Sequence, residues 1–207
     1  RLQHKMEEKS RGEKIMSYTI RPEQHELRKA RETVEEILES CKFILEKDKM
    51  LEINLGAAPS GSSTEHGAHG TAINSEAAQV YFNPKIDSWV QDLEKVVRKE
   101  YAKSWFYEKT DPSGLLWREL LAETLGLMFL EENSEGRKPE ENAEEFSEEW
   151  NEKKDSLGSQ ISIDNHENFS WQIKYFLGEK ILEEYDLEDF PELTRSDIEE
   201  AGEEIFE

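Results

Sequence analysis

Apolar residues recur along most of this chain at spacings of three and four, which is the period of an amphipathic helix. The chain is therefore expected to be mainly helical. The helices it predicts cover residues 30–48, 86–107, 115–130 and 170–185, followed by a last helix that begins with the Ser-x-x-Glu capping pattern at Ser196 and ends at Phe206.

Two short segments follow a different period. Residues 50–55 alternate apolar and polar side chains, which predicts a half-buried strand that ends at Gly56. Residues 57–70 are rich in Gly, Ser and Ala and predict a loop. Residues 77–82 precede an Asn-Pro pair and predict a second strand that ends in a turn. The sequence thus predicts an α+β fold that is predominantly helical and carries a small sheet.

Length and composition fit one domain with polar extensions. The chain has 207 residues, of which 35% are hydrophobic and 10% aromatic, so it can bury one core. Residues 1–29 are polar and charged and are expected to form an N-terminal arm, while residues 30–207 form a single domain. Within that domain, the Glu-rich stretch 131–158 is expected to be an acidic excursion, anchored by Phe146 and Trp150 on one helical face.

An excess of acidic residues gives the chain a formal net charge of −22. This charge argues against binding to nucleic acid, because phosphate contacts need basic stripes and only short basic clusters such as residues 28–31 are present. The acidic runs are ordinarily solvated surface. They also suit electrostatic attraction to a basic protein partner, or mimicry of nucleic acid.

The location of the protein is predicted from its apolar runs and its cysteine. No apolar run approaches the ~18 residues of a membrane span, so no membrane association is expected. A single cysteine, Cys41, excludes an intramolecular disulfide and fits a reducing cytoplasm. Cys41 falls on an apolar position of the first predicted helix, which favours a core residue over a nucleophile.

The candidate chemistry lies on the helix predicted over 86–107. Lys99, Glu100 and Lys103 form a Lys-Glu-x-x-Lys pattern, in which positions i and i+4 share one helix face. In a His-Glu-x-x-His helix the same spacing lets two imidazoles bind one Zn²⁺ while the Glu acts as general base. A protonated lysine has no lone pair and cannot replace histidine as a ligand near neutral pH. By itself the pattern is typical of a solvated helix face.

The order of elements around this pattern resembles a family of predicted zinc-dependent proteases, a domain of unknown function among the zincin-like metallopeptidases. The resemblance covers roughly residues 30–206. The segments that carry it are the strand from Leu51 to Gly56, His69-Gly70-Thr71, the strand and turn from Val80 to Pro84, the helix motif from Lys99 to Lys103, the motif from Glu123 to Leu127, and the late Tyr-x-x-Gly helix from Tyr175 to Ile181.

The resemblance implies a zincin-like metallopeptidase fold with a small mixed sheet and a degenerate HExxH pattern. Both histidine ligands are lysines here, and Thr124 stands where the family has Gly, while Glu100 is kept as a vestigial general base. It therefore implies a pseudoenzyme without hydrolytic activity and without a metal cofactor, retained as a binding or regulatory module. We expect Lys99 and Lys103 to pair with Glu100 and Glu123 at the former metal position, because two ammonium groups restore the charge of a divalent cation.

Two alternatives stay open from the sequence. An active metal-dependent peptidase would use Glu100 as general base and Glu123 as a zinc ligand, with His66 or His69 recruited from the Gly-rich loop. If the chain is instead an acidic protein that binds a basic partner, its function lies on the Glu-rich surface. The other histidines lie in polar stretches, where solvent exposure is expected; they are His4, His25 and His166.

Overall fold

The computed structural model describes residues 22–58, 66–110, 114–134, 138–161 and 169–206. The helices among these residues are α1 (Gln24–Lys42), α2 (Trp89–Lys109), α3 (Leu116–Asn133), α4 (Ser147–Lys153), α5 (Trp171–Ile181) and α6 (Arg195–Phe206). The strands are β1 (Glu52–Ala57), β2 (Ala68–Ala72) and β3 (Ala77–Phe82). Short 3-10 segments cover Ala143–Phe146, Lys154–Gly158 and Leu187–Glu192. The predicted α+β class with mainly helical content is confirmed.

The three strands form a mixed sheet in the order β1-β3-β2. β1 runs parallel to β3, with Glu52 opposite Ala77, and β2 runs antiparallel to β3, with Ala72 opposite Ala78. Alternate residues of β3 are buried, so one face of the sheet packs on the helices and the other faces outward. The small sheet expected near residues 50–82 is therefore present.

β2 corrects the prediction of an uninterrupted loop over residues 57–70. Its small residues hide the alternation that marks the other two strands. Tertiary contacts decide this strand: a Cβ at Gly70 would lie 2.8 Å from Val96 Cγ1 of α2 and 2.9 Å from the Gln79 carbonyl oxygen of β3. A residue without a Cβ is what lets the strand lie this close to both elements. The preceding part of the predicted loop, residues 59–65, lies outside the described residues.

α1 begins and ends earlier than its apolar period predicted. Its start is fixed by a capping interaction, in which the backbone N–H of Glu23 donates to Glu26 Oε2 at 2.6 Å. Beyond its end, residues 43–51 form a loop, and the Tyr101 hydroxyl of α2 donates to Leu45 O of this loop at 2.7 Å. Hydrogen bonds from α2 thus replace the last predicted turn of the helix.

The remaining helix predictions are confirmed, with ends that differ by a few residues. The cap of α6 is an exception. At its start, Asp197 Oδ2 accepts from both the N–H and the hydroxyl of Thr194 at 2.6 Å, so the helix starts after Thr194 and not at the predicted Ser196. Ser196 lies inside the helix because the chain turns two residues earlier.

The core surrounds α2, which packs against the sheet, α1 and α3, while α3 packs in turn against α5. Leu93, Val97 and Phe106 of α2 are fully buried, as is Cys41 of α1, which confirms its predicted core position. α2 is therefore the helix that packs against both the sheet and the neighbouring helices α1 and α3. Within the described ranges, no helix is both long and apolar enough to cross a bilayer.

Aromatic side chains of the acidic excursion that follows α3 pack against the C-terminal part of the chain. Trp150 is buried and packs on Phe169 and Phe206, with ring centroids 5.6 and 5.5 Å away. Phe146 is partly buried and contacts Phe176 of α5, with centroids 6.2 Å apart. These contacts hold the Glu-rich segment against the C-terminal helices. Phe146 ends the 3-10 segment Ala143–Phe146 and Trp150 lies on α4, so the two rings sit on separate elements and contact different partners.

Candidate functional site

Three helices bring charged side chains together beside the sheet. α2 contributes residues from successive turns of one face, α3 contributes two glutamates one turn apart, and α5 contributes a lysine. Three ammonium groups meet three carboxylates, so the formal charge of the group is zero. We call it the lysine–glutamate cluster; its members are Lys99, Glu100, Lys103, Glu119, Glu123 and Lys174.

Lys103 lies at the centre of the cluster. Its ammonium group donates to Glu123 Oε1 and lies 3.5 Å from Glu100 Oε2 and 3.6 Å from Glu119 Oε1. The side chains of Lys103 and Glu100 are each 2% exposed. A charged lysine can be buried to this degree because carboxylates of α2 and α3 surround it.

Two further lysines approach Glu123. Lys99 Nζ lies 3.0 Å from Glu123 Oε2 and 3.8 Å from Glu100 Oε1. Lys174 Nζ lies 3.9 Å from the same Oε2 atom of Glu123. The structure thus brings together the four positions that the sequence singled out, namely Lys99, Glu100, Lys103 and Glu123.

Mutual attraction sets the protonation states in the cluster. Burial alone would raise the pKa of Glu123, but Lys103 and Lys99 lower it to about 2. Burial alone would lower the pKa of Lys103, but Glu100 and Glu123 raise it above the usual value of 10.5. Burial lowers the pKa of Lys174; attraction to Glu123 opposes this lowering, and repulsion from Lys99 and Lys103 adds to it. Lys103 and Glu123 are therefore both charged at neutral pH.

Glu100 connects the cluster to the edge of the sheet. Its Oε2 atom accepts a hydrogen bond of 2.7 Å from the backbone N–H of Ala72, at the end of β2. This N–H points away from β3, so the carboxylate satisfies a donor that the sheet leaves unpaired. The same oxygen is the one that lies near Lys103, so it faces two donors at once.

A glycine lets α3 approach α2 at the cluster. A Cβ at Gly126 would lie 2.9 Å from Lys99 Cγ, 3.2 Å from the Lys99 carbonyl oxygen and 3.3 Å from Lys103 Cγ. This close approach of the helices is what carries the Glu123 carboxylate to both lysines. Thr124 is buried beside it, and its hydroxyl has no hydrogen-bond partner among the described residues.

A cleft of about 300 Å³ opens beside the cluster. Tyr107 and Glu119 line it, and the Tyr107 hydroxyl donates to Glu119 Oε2 at 2.8 Å. Ile73 and Ile161 also line it and are 61% and 45% exposed. The cleft therefore combines exposed apolar side chains with a polar wall that continues into the cluster.

The two histidines considered as replacement ligands lie elsewhere. His69 is on β2, and its ring stacks on Tyr81 with centroids 5.1 Å apart, on the sheet face opposite α2. His66 is exposed, and the backbone beside it is hydrogen-bonded to Asp92 Oδ2, which is roughly 16 Å along the axis of α2 from Lys103. Neither imidazole is placed beside the cluster.

The residues of the cluster do not fit a zinc site. Two of the positions hold lysines, whose protonated nitrogens have no lone pair for a metal. In the part of the chain that the structure describes, no three His, Cys, Asp or Glu side chains are arranged to hold a metal ion. A metal-bound water therefore has no ligand set in this cluster.

The surroundings of His25 and Cys41 agree with the roles expected for them. His25 is exposed, as predicted, whereas His4 and His166 lie outside the described residues. Burial raises the pKa of the Cys41 thiol to about 11, which suits a core residue and not a nucleophile.

Sequence reasoning missed three residues of the site: Lys174, Glu119 and Tyr107. Lys174 interrupts the largely apolar sequence of α5, and Glu119 precedes Glu123 by one helical turn. A lysine within an apolar helix and a pair of glutamates at i and i+4 were the available signals. They could not be interpreted from sequence because their partners lie on other helices.

The fold and the cluster define a class of protein: a mainly helical α+β domain with a buried lysine–carboxylate network where a long helix meets an edge strand. In comparisons with known proteins, no family model, no curated protein and no solved structure matches the chain. The contacts, charges and burial of its own residues are thus what indicates its function.

Proposed function

We propose that this protein is a zincin-like binding or regulatory module without hydrolytic activity, in which the lysine–glutamate cluster stands in place of a metal centre. One observation carries the proposal. Lys99 and Lys103 lie one turn apart on α2, and both ammonium groups contact Glu123 of α3. In a zinc-dependent peptidase of the His-Glu-x-x-His type, these two helix positions and a third residue, such as a glutamate, hold the metal.

The contacts of Glu100 support the absence of hydrolysis. A general base needs a carboxylate oxygen that faces a water or a substrate. Glu100 Oε2 accepts from Ala72 N–H and lies 3.5 Å from Lys103, while Oε1 lies 3.8 Å from Lys99. With its side chain 2% exposed, Glu100 has both oxygens engaged by the protein itself. It acts in this proposal as a positioning residue that joins α2 to β2.

The binding site in this proposal is the cleft beside the cluster. Glu119 offers a carboxylate at its wall, and Ile73 and Ile161 offer exposed apolar surface. Sites of this kind bind an apolar group and orient it through a few polar contacts. The ligand that fits is one with an apolar body and a hydrogen-bond donor directed at Glu119. The cluster keeps α2, α3 and α5 in a fixed arrangement around it.

Zinc content tests the proposal. The purified wild-type chain and a Lys99→His/Lys103→His variant are loaded with zinc, dialysed and analysed by elemental mass spectrometry. The wild type is expected to retain far less than one zinc per chain. The double variant restores two imidazoles beside Glu123 and is expected to retain about one zinc per chain, since two His and one Glu are a complete ligand set.

A second pair of histidines provides the control. Glu32→His/Glu36→His, combined with Glu35→Gln/Glu39→Gln, places two imidazoles at i and i+4 on the exposed face of α1 and removes the neighbouring carboxylates that could act as a third ligand. This variant should lose its zinc on dialysis. Stoichiometric zinc in the wild type would overturn the proposed inactivity. A folded Lys99→His/Lys103→His variant that binds no more zinc than the α1 control would overturn the zincin-like arrangement.

A further inference from the structure

Among the described residues, no strand pairs with the outer edge of β1. The N–H of Glu52 donates to Glu76 O at 2.8 Å, and from there the even-numbered residues of β1 pair with β3. Alternate residues of a strand direct their backbone groups to opposite edges. The N–H and C=O groups of Ile53, Leu55 and Ala57 consequently point away from the sheet.

These outward groups form no hydrogen bond with any described residue. Proteins usually protect such an edge with proline, an inward lysine, a bulge or a covering element. β1 has the sequence Glu-Ile-Asn-Leu-Gly-Ala, without proline or lysine, and its register with β3 has no bulge. Ile53 and Leu55 are half-buried on the helix side of the sheet. With respect to the residues that the structure describes, β1 is thus a regular strand whose outer edge is available to another strand.

The opposite edge of the sheet differs from the β1 edge in one outward donor. At β2, the outward N–H of Ala72 donates to Glu100 Oε2 of α2. No outward N–H of β1 has such a partner among the described residues.

A groove of about 180 Å³ adjoins the start of β1. Leu38, Met50 and Leu51 provide its apolar surface, and Met50 is 81% exposed. Four carboxylates without an ion pair among the described residues lie around this end of the strand: Glu35 and Glu39 of α1, Glu52, and Glu76 before β3. The groove also contains Lys42 and Lys49, which form no ion pair with a residue that the structure describes.

We propose that the β1 edge is a docking site for an extended segment of a partner protein in which basic and apolar residues alternate. The segment adds a fourth strand beside β1, hydrogen-bonded to Ile53 and Leu55. Its apolar side chains pack on the helix side, next to Ile53, Leu55 and Leu38, and its basic side chains face outward near Glu52 and Asn54. This inference does not depend on the proposed lack of hydrolysis.

Charge decides between a basic partner and a second copy of this chain. Two copies joined edge to edge would bring together two molecules of net charge −22, and their mutual repulsion opposes such a dimer. A basic segment is attracted by the same charge. Main-chain hydrogen bonds then supply affinity, and the alternation of side chains supplies specificity.

A synthetic probe tests the proposal on the full chain. The probe is a fluorescein-labelled, end-capped octapeptide of alternating lysine and valine, and binding is followed by fluorescence anisotropy. Its analogue of alternating glutamate and valine has the same β propensity with opposite charge. The lysine peptide is expected to bind and the glutamate peptide to show no binding. Equal binding of the two would overturn the proposed charge preference.

N-methylation of the probe separates strand addition from plain charge attraction. A strand added to β1 directs the amides of every second residue towards Ile53 and Leu55 and those of the others to solvent. Methylating one alternate set should therefore weaken binding at least about tenfold, and methylating the other set should leave it nearly unchanged. If the probe adds antiparallel to β1, methylation of the valine amides should weaken binding. If it adds parallel to β1, methylation of the lysine amides should weaken binding. Equal sensitivity of both sets would overturn the proposal.

Variants of the protein locate the site. Leu55→Lys places a charge on the open edge, and Gln91→Lys adds the same charge on the exposed side of α2. The first variant should abolish binding of the lysine–valine probe, and the second should keep it within about twofold. Light scattering of the wild type should show a monomer. A dimer that Leu55→Lys converts to a monomer would assign the edge to a second copy and overturn the partner proposal.

Discussion

Lys103 is a lysine held where an apolar side chain would ordinarily lie. Its stem and ammonium group are buried between α2 and α3, and three carboxylates surround the charge. Burying an ion pair gains little over burying apolar groups of the same shape, but removing one partner leaves an uncompensated charge. Such a network therefore specifies which helix faces meet more than it adds stability. The carboxylates around position 103, and not the apolar period of α2, are what favours a lysine at this position.

Acid should weaken the fold through Glu123. The pKa of this carboxyl is about 2 in the folded protein, compared with 4.5 for the free group, so the unfolded chain binds the proton more readily. The contribution of Glu123 to the unfolding free energy is present above about pH 5 and lost as the pH falls towards 2, with a size on the order of 3 kcal/mol.

Urea unfolding at several pH values between neutral and about pH 3 measures this effect. The slope of unfolding free energy against pH should be smaller in Glu123→Gln than in the wild type, because the variant has no carboxylate to protonate at this position. Glu148→Gln on α4 removes the same charge at an exposed position and serves as the control. Identical acid slopes for wild type and Glu123→Gln would show that the two lysines do not perturb this group.

α2 shows how one helix takes part in several sets of contacts. One face buries Leu93 and Val97 against the sheet and α1, and its C-terminal half carries the lysines that meet α3. Apolar spacing predicted this helix because burial of its apolar face requires that spacing. β2 was missed because its strand character comes from pairing with β3 and close packing on α2, and neither is visible in a run of small residues.

The contact between α2 and α3 should be sensitive to the size of residue 126. Gly126→Ala places a Cβ 2.9 Å from Lys99 Cγ and 3.2 Å from a backbone oxygen that has little freedom to move. Overpacking costs about 1–3 kcal/mol and the better helix propensity of alanine offsets about 1, so we expect a net loss of up to about 2 kcal/mol in urea unfolding.

A double-mutant cycle checks the cause of that loss. In a Lys99→Ala background the nearest contact is absent, so Gly126→Ala should be less destabilising than in the wild type. The same cost in both backgrounds would mean that the Lys99 side chain does not limit the approach of α3.

The unbalanced charge of the whole molecule opposes its own folding. With 48 acidic and 26 basic residues, the formal charge is −22. The lysine–glutamate cluster is itself neutral, so it leaves this excess of negative charge uncompensated. Compact folding brings these charges closer together than they are in the unfolded chain. The same excess provides the long-range attraction to basic partners on which the docking proposal relies.

Salt should therefore stabilise the protein. Raising NaCl from about 0.01 to about 0.1 M shortens the Debye length from about 30 to about 10 Å, which screens the repulsion among exposed carboxylates. The unfolding free energy should therefore rise with salt, measured in urea because this denaturant is uncharged. The buried cluster is screened much less than the surface. A fall in stability over this range would show that surface ion pairs outweigh the net repulsion.

The sequence by itself determined the long helices, two of the three strands, the core position of Cys41 and the spacing of Lys99, Glu100 and Lys103. These follow from local periodicity, since a helix or strand must bury its apolar side to form. Tertiary structure alone decided that β2 is a strand, that Lys174 and Glu119 join the cluster, and that His66 and His69 lie away from it. Each of these depends on contacts between residues far apart in the chain, which a single sequence does not display.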